Sequence, residues 1–172
     1  MFDINIKIDD ISISSIEKED IIYIQKWINN QQALNINIEN PLGLKELYQR
    51  FLEYYVSESE FFLKLNRGEN LIGVLKGRLE FKNNNEVWFW YYLIDHEFRG
   101  KGIGSNIVKE VMNYFSNNFG IYNFYTGVPA KDDDIKRFWL NNNFNLIRVS
   151  KNFFNINGEE IDMHILKAKA YM

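Results

Sequence analysis

The segment with the clearest chemical potential is a glycine-rich turn that runs from Asp95 to Ser105. An apolar run ends just before it and an amphipathic pattern follows it, so it connects a strand to a helix. Glycine lets the backbone approach a ligand closely, and the free N–H groups at a helix start attract anions. The alternating glycines are Gly100, Gly102 and Gly104, and the cations beside them are Arg99 and Lys101. We interpret the turn as a binding site for a phosphate-bearing ligand; a tight turn that binds nothing is the alternative.

The spacing of these glycines excludes two familiar phosphate-binding motifs. The dinucleotide fingerprint G-x-G-x-x-G would require glycine where Ser105 stands, and an acidic residue about 20 positions later. No aspartate or glutamate occurs between Glu110 and Asp132. The P-loop also fails, because no lysine followed by serine or threonine stands at the required distance after a glycine.

One carboxylate, that of Glu86, stands where it could take part in acid–base chemistry. Glu86 begins the long apolar run before the turn, and on a strand its side chain would lie on the same face as those of Trp88 and Trp90. A solvated carboxylate at a strand end is the alternative, and it is the interpretation that we favour. The chain has no cysteine and two histidines, so we expect no thiol nucleophile and no metal site.

Hydrophobic periodicity predicts the elements that position these residues. The predicted order is a strand, two helices, a three-strand meander, a helix, a strand, a helix and a hairpin. Their ranges are strand 11–15, helices 18–29 and 44–56, strands 61–65, 71–81 and 87–94, a helix after the glycine turn, strand 121–126, helix 133–142, and hairpin strands 146–156 and 159–166. Asn40-Pro41 marks a break between the first two helices, and Asn157-Gly158 is a hairpin turn signal.

These elements define an α+β fold with a mixed sheet in a single domain, residues 1–172. The run 87–94 is apolar on both faces, which is typical of a central strand covered on both sides. Because a helix connects it to strand 121–126, the two strands must be parallel if they share a sheet. In the helix 133–142, Ile135, Phe138 and Trp139 form the apolar face, and the acidic run 132–134 marks its start.

The motif Arg99-x-x-Gly102-x-Gly104 resembles the (Gln/Arg)-x-x-Gly-x-(Gly/Ala) signature of the GNAT superfamily, the acyl-CoA-dependent N-acetyltransferases. The order of elements from Ile11 to Leu166 is also similar. Trp27-Ile28-Asn29-Asn30 resembles a segment of the branch that acetylates ribosomal proteins and aminoglycosides. The resemblance implies a mostly antiparallel central sheet with helices on both faces. It also implies that the CoA pyrophosphate binds to Gly100, Lys101, Gly102, Ile103, Gly104 and Ser105, beside Arg99, and that the pantetheine arm pairs with Tyr92, Leu93 and Ile94.

Trp139 departs from the pattern of this family. It stands where the family usually has a tyrosine, near the cofactor, that protonates the departing thiolate. Indole N–H donates hydrogen bonds but does not titrate in this range. Tyr125 or Tyr92 are alternative donors, and Glu86 lies near the position of the family's general base, although Trp88 is the closer positional match.

The resemblance implies direct transfer of an acetyl group from acetyl-CoA to a primary amine in a ternary complex. Without cysteine, no residue carries the acyl group as a thioester. Two alternatives remain: a catalytically silent module that binds CoA, and a scaffold that binds none.

Composition limits the partners. Twenty Lys+Arg against 23 Asp+Glu give a net charge of −3, which argues against binding nucleic acid by broad electrostatic attraction. No apolar run approaches the ~18 residues of a membrane span, and the first ten residues carry no signal-peptide pattern. We expect a cytoplasmic protein that acts on a small-molecule or peptide amine.

Overall fold

The computed structural model describes residues 2–33 and 43–170 and contains both strands and helices within these ranges. The strands are β1 (Asn5–Ile8), β2 (Ile11–Ser15), β3 (Glu60–Arg67), β4 (Asn70–Glu80), β5 (Glu86–Ile94), β6 (Asn123–Pro129), β7 (Asn145–Ile156) and β8 (Glu159–Lys169). The helices are α1 (Ile21–Ala33), α2 (Leu44–Val56), α3 (Ile103–Phe119) and α4 (Asp133–Asn141), with 3-10 turns at Lys18–Asp20 and His96–Phe98. No helix within these ranges is both long and apolar enough to cross a membrane.

The strands form one mixed sheet in the order β1-β2-β3-β4-β5-β6-β8-β7. As predicted, β5 and β6 are parallel, with Glu86 opposite Asn123 and Phe89 opposite Thr126. The flanking pairs β1/β2, β2/β3, β6/β8 and β7/β8 are antiparallel. The predicted α+β class with a mostly antiparallel sheet is therefore confirmed.

The chain divides into two compact units. The first contains Met1–Gly77 and Tyr91–Gly104, and the second contains Arg78–Trp90 and Ser105–Met172.

The core of the first unit is built on the apolar stripe of α1. The buried members of this core are Ile16, Ile21, Ile24, Ile28, Leu47, Phe51, Tyr54, Phe62 and Val74. The helix begins at Ile21 because a 3-10 turn precedes it, and it continues to Ala33 instead of ending at Asn29. The predicted break at Asn40-Pro41 lies outside the described residues. The strand β1 is not predicted, since its four residues alternate between exposed and half-buried positions.

The core of the second unit is aromatic. Phe89, Phe115, Phe124 and Phe144 are its largest fully buried side chains. The helix α3 contributes the buried side chains of Ile107, Val108, Val111 and Phe115. The hairpin β7/β8 turns at Asn157 and Gly158, whose φ angles of 52° and 80° are those of the type I′ turn that this dipeptide favours.

Two predictions about burial need correction. Ile135 does not share a buried face with Trp139, since its side chain is exposed and α4 buries only Trp139 fully. The strand β5 is central, as predicted, but it is not covered along its whole length. Trp90 and Tyr91 are 47% and 40% exposed, because burial in this strand is concentrated at Val87, Phe89 and Ile94.

Candidate cofactor site

The glycine-rich turn belongs to the first unit up to Gly104 and leads from β5 into α3. Gly100 and Gly102 have φ angles of 72° and 78°, a left-handed conformation that costs an L side chain about 1–2 kcal/mol. A Cβ built at either glycine would meet no described heavy atom within 4 Å beyond its chain neighbours. The turn therefore requires glycine for its backbone and leaves an open face at a helix start, where an anion can bind.

Two side chains hold this turn to the end of β5. The Nε of Arg99 donates to the carbonyl of Ile94 at 2.8 Å. Asp95 caps the intervening 3-10 helix, where its Oδ1 accepts from the backbone N–H of Glu97 at 3.0 Å. Arg99, which the sequence places beside a phosphate, therefore also braces the backbone of the turn.

Tyr92 fixes the far end of the turn. Its hydroxyl donates to the carbonyl of Gly104 at 2.9 Å. Burial raises the pKa of this phenol far above its ordinary value, so the proton stays on the oxygen throughout the physiological range. The geometry gives Tyr92 a clear role in shaping the turn.

The neighbouring residues of β5 are also anchored in the first unit. Leu93 packs against the core that α1 and α2 share, and Ile94 is buried. At the turn itself, the ammonium of Lys101 lies 6.0 Å from the centroid of the Phe98 ring. Ile103 and Ser105 occupy the first turn of α3 and are half-buried.

Gln31 is a residue that sequence reasoning missed. Its amide Nε2 donates to Oδ2 of Asp95 at 2.8 Å, and its Oε1 accepts from the backbone N–H of His96 at 3.1 Å. The side chain is only 7% exposed. The available signal was its position: Gln31 continues the stripe of Ile24 and Ile28 at helical spacing, where a polar residue is unexpected.

Glu86 lies in the second unit at the start of β5. Its carboxylate accepts from the indole Nε1 of Trp88 at 3.2 Å and lies 3.1 Å from the ammonium of Lys82. The side chain is mostly buried, whereas that of Lys82 is exposed. Trp88 stacks on Tyr125 with a centroid separation of 4.8 Å, and the ammonium of Lys167 lies 5.0 Å from the centroid of the Tyr125 ring. Glu86 therefore belongs to a polar and aromatic cluster.

Trp139 lies in the aromatic core of the second unit and is 4% exposed. Its ring stacks on Phe89 at 5.6 Å and meets Phe144 edge-on at 4.8 Å, both measured between centroids. The helix start that presents it is capped as the sequence predicts, since Asp132 accepts from the backbone N–H of Ile135 at 3.1 Å. Trp139 thus has a structural role independent of any contact with a ligand.

The fold and the turn together define a class of protein. A mixed α+β sheet has its parallel strand pair joined by a helix, and that helix begins at an open, cationic glycine turn. It is the architecture on which the resemblance to the GNAT superfamily rests in the sequence analysis.

Comparison with known proteins makes the class specific. A family model described as the acetyltransferase (GNAT) domain matches residues 13–165, and the chain belongs to this family. It is therefore an N-acetyltransferase that uses acetyl-CoA, and the comparisons give no support to the catalytically silent alternative. No curated protein matches the chain by sequence.

Solved structures of acetyltransferases share the fold. The ribosomal α-N-protein acetyltransferase RimL in complex with coenzyme A is 16% identical, with a TM-score of 0.82 over 96% of this chain and 97% of that one. An acetyltransferase from Salmonella typhimurium that modifies the N-terminal serine of a 50S ribosomal protein is 14% identical, with a TM-score of 0.84 over 95% and 97%. Spermidine N-acetyltransferase from Vibrio cholerae, bound to CoA and spermine, is 18% identical, with a TM-score of 0.77 over 94% and 96%.

Proposed function

We propose that the turn from Arg99 to Ser105 binds the pyrophosphate of acetyl-CoA while the acetyl group is transferred to a primary amine. The open backbone at Gly100 and Gly102 carries this proposal, because a Cβ at either position would project into empty space beside a helix start. Arg99 and Lys101 add positive charge there. A doubly anionic group matches such a site in charge and in its demand for N–H donors.

The side-chain contacts already present in β5 and the turn indicate which groups remain to bind each part of CoA. The pyrophosphate is assigned to backbone groups of the turn and of the start of α3, at Gly100, Lys101, Gly102, Ile103, Gly104 and Ser105. Leu93 packs its side chain against the core of the first unit, Ile94 is buried, and the hydroxyl of Tyr92 is bonded to the carbonyl of Gly104. Main-chain groups of these three residues are the part of β5 that we assign to the pantetheine arm, which would pair with them as a strand does.

The transfer needs a neutral amine. Its lone pair attacks the thioester carbonyl carbon, a C–N bond forms, the C–S bond breaks, and CoA leaves as thiolate. The nitrogen then loses a proton. We propose Glu86 as the group that accepts the proton from the amine, because its carboxylate is mostly buried and held by Trp88. The turnover of Glu86→Gln tests this role: the rate should fall by about 10²–10⁴-fold, and an unchanged rate would leave deprotonation to solvent.

The leaving thiolate needs no strong acid. An ordinary thiol has a pKa of about 8.5, so its thiolate leaves readily near neutral pH. We place Trp139 beside the cofactor as a packing residue with no part in proton transfer, consistent with its contacts to Phe89 and Phe144.

Two acceptor classes come first for this acidic chain: protein N-terminal amines and polyamines. The structural relatives named above act on one or the other, and the net charge of −3 suits a cationic amine. We further propose that both units serve one acetyltransferase domain in residues 1–172, since the family match of 13–165 includes residues of each. We place the activity in the cytoplasm, as the composition leads us to expect.

The test is release of free CoA from acetyl-CoA across a panel of N-terminal peptides, polyamines and aminoglycosides. Gly102→Ala should weaken binding of CoA at least about tenfold, because its Cβ enters the space of the ligand. Gly68→Ala is the matched control, since Gly68 also has a positive φ, 59°, and open space around its Cβ, so it carries the same strain of about 1–2 kcal/mol.

The proposal predicts release of CoA with at least one amine and a loss of affinity confined to Gly102→Ala. Binding of acetyl-CoA without release for any amine would contradict transfer to these acceptor classes. Equal affinity in the two alanine variants would contradict the assignment of the turn.

A further inference from the structure

The buried amide of Gln31 connects α1 to the start of the glycine-rich turn, residues 95–105, which we call the cofactor turn. It makes two hydrogen bonds, one with the carboxylate of Asp95 and one with the backbone N–H of His96. A leucine at this position would extend the apolar stripe of α1. The chain instead has a buried polar side chain here. Such local exceptions to the hydrophobic pattern are expected where geometry matters for function.

Asp95 is the junction through which this contact reaches the turn. Its backbone N–H donates to the carbonyl of Ile72 at 2.8 Å, which fixes it to β4. Its carboxylate uses Oδ2 for Gln31 and Oδ1 for the backbone N–H of Glu97. Its carbonyl accepts from the N–H of Phe98 at 2.9 Å. The 3-10 turn that delivers Arg99 and Gly100 therefore starts from a residue whose side chain is oriented by α1.

We propose that Gln31 is a positioning residue of the cofactor turn. It acts through Asp95 and His96, and it sets the direction in which the backbone N–H groups of the turn point. Preorganised donors bind an anion without the free-energy cost of ordering them at the moment of binding. The inference rests on the proposed function, because the turn that Gln31 orients is the one assigned to CoA.

The first experiment separates positioning from general stability. Gln31→Leu retains the apolar stripe and removes both hydrogen bonds. Hydrogen bonds that involve a charged group contribute about 1.5–3 kcal/mol, so the Kd for CoA and the KM for acetyl-CoA should rise on the order of tenfold, while kcat changes less than about twofold. Ile28→Ala is the control: it lies one turn earlier and is buried, so it lowers stability but should leave the Kd for CoA unchanged.

A reciprocal exchange tests the contact itself. Gln31→Glu alone places two carboxylates against each other, and Asp95→Asn alone places two amides there. In the double variant, the amide at position 95 donates to the carboxylate at position 31, which still accepts from the N–H of His96. The amide oxygen at position 95 still accepts from the N–H of Glu97. Each single variant should bind CoA on the order of tenfold more weakly, and the double variant should recover most of the lost affinity.

The outcomes distinguish the inference from the function on which it rests. Failure of the wild-type protein to bind CoA would overturn the proposed function. Tight binding by the wild type, together with an unchanged Kd in folded Gln31→Leu, would overturn only the role of Gln31. The role of Gln31 would also be overturned if the double variant lost as much binding free energy for CoA as the two single variants together, measured by calorimetry on folded proteins.

Discussion

The glycine-rich turn and the helix α4 differ in which part of the chain matters, the backbone in the turn and one side chain in the helix. In the turn the backbone is the distinctive feature: Gly100 and Gly102 adopt φ angles that favour glycine, and a Cβ at either would meet open space. The helix α4 works through one side chain, Trp139, which is enclosed by aromatic rings. Because glycine is the residue that favours a positive φ angle, the turn can be predicted from the sequence. The sequence shows Trp139 only as an altered member of a motif, because Phe89, on which its ring stacks, lies in a distant segment.

The largest effect that separates these regions is on stability. Trp139→Ala should lower the free energy of unfolding by about 3–5 kcal/mol, as expected for truncating a buried aromatic residue. Leu140→Ala, at the adjacent position that is 45% exposed, should change it by less than about 0.5 kcal/mol. Urea denaturation measures both. Similar losses in the two variants would show that Trp139 is not a core residue.

A smaller loss should follow when the turn loses its hydroxyl brace. Tyr92→Phe removes the donor to the carbonyl of Gly104, and the loss of one such hydrogen bond costs about 0.5–1.5 kcal/mol. The Kd for CoA should rise together with this loss, because the start of α3 is no longer fixed. Tyr23→Phe, at an exposed tyrosine, is the control. If Tyr92→Phe matched this control in both measurements, the hydroxyl would have no part in shaping the turn.

Alkaline pH should weaken the first unit for a related reason. Burial raises the pKa of Tyr54 and Tyr92 above the ordinary value. Above pH about 10, the unfolded chain releases these protons while the folded chain retains them. Stability is therefore fully present below that pH and falls as pH rises through the raised pKa values. Denaturation at several pH values should show a shallower decline for Tyr92→Phe than for the wild type; equal slopes would contradict it.

The smallest effect concerns chemistry at Trp139. We expect folded Trp139→Phe to retain turnover within about tenfold of the wild type, since a positioned proton donor would be worth about 10²–10⁴. The alkaline side of the pH–rate profile should be the same in both proteins. A rate lower by more than a hundredfold in a variant that still binds CoA would assign a chemical role to the indole.

Much of this fold follows from local patterns, whereas the site follows only in part. The helix 44–56 and the turn at Asn157-Gly158 are predicted correctly because periodicity and turn chemistry act within a few residues. The exposure of Ile135 is predicted wrongly, since α4 is short and only neighbouring segments decide which part of it is covered. Gln31 is missed for the same reason: its partners lie 64 and 65 residues away along the chain.

The central claim is that backbone groups of the turn bind the pyrophosphate of CoA. Calorimetry with CoA and with pantetheine, which lacks the pyrophosphate and the 3′-phosphoadenosine attached to it, tests the claim on the wild type and on Gly104→Val. Charge-assisted hydrogen bonds contribute about 1.5–3 kcal/mol each, so the wild type should bind CoA at least about a hundredfold more tightly than pantetheine. In folded Gly104→Val this preference should collapse, because the added side chain obstructs the phosphates. A folded Gly104→Val protein that keeps the wild-type affinity for CoA and the wild-type preference over pantetheine would contradict the claim.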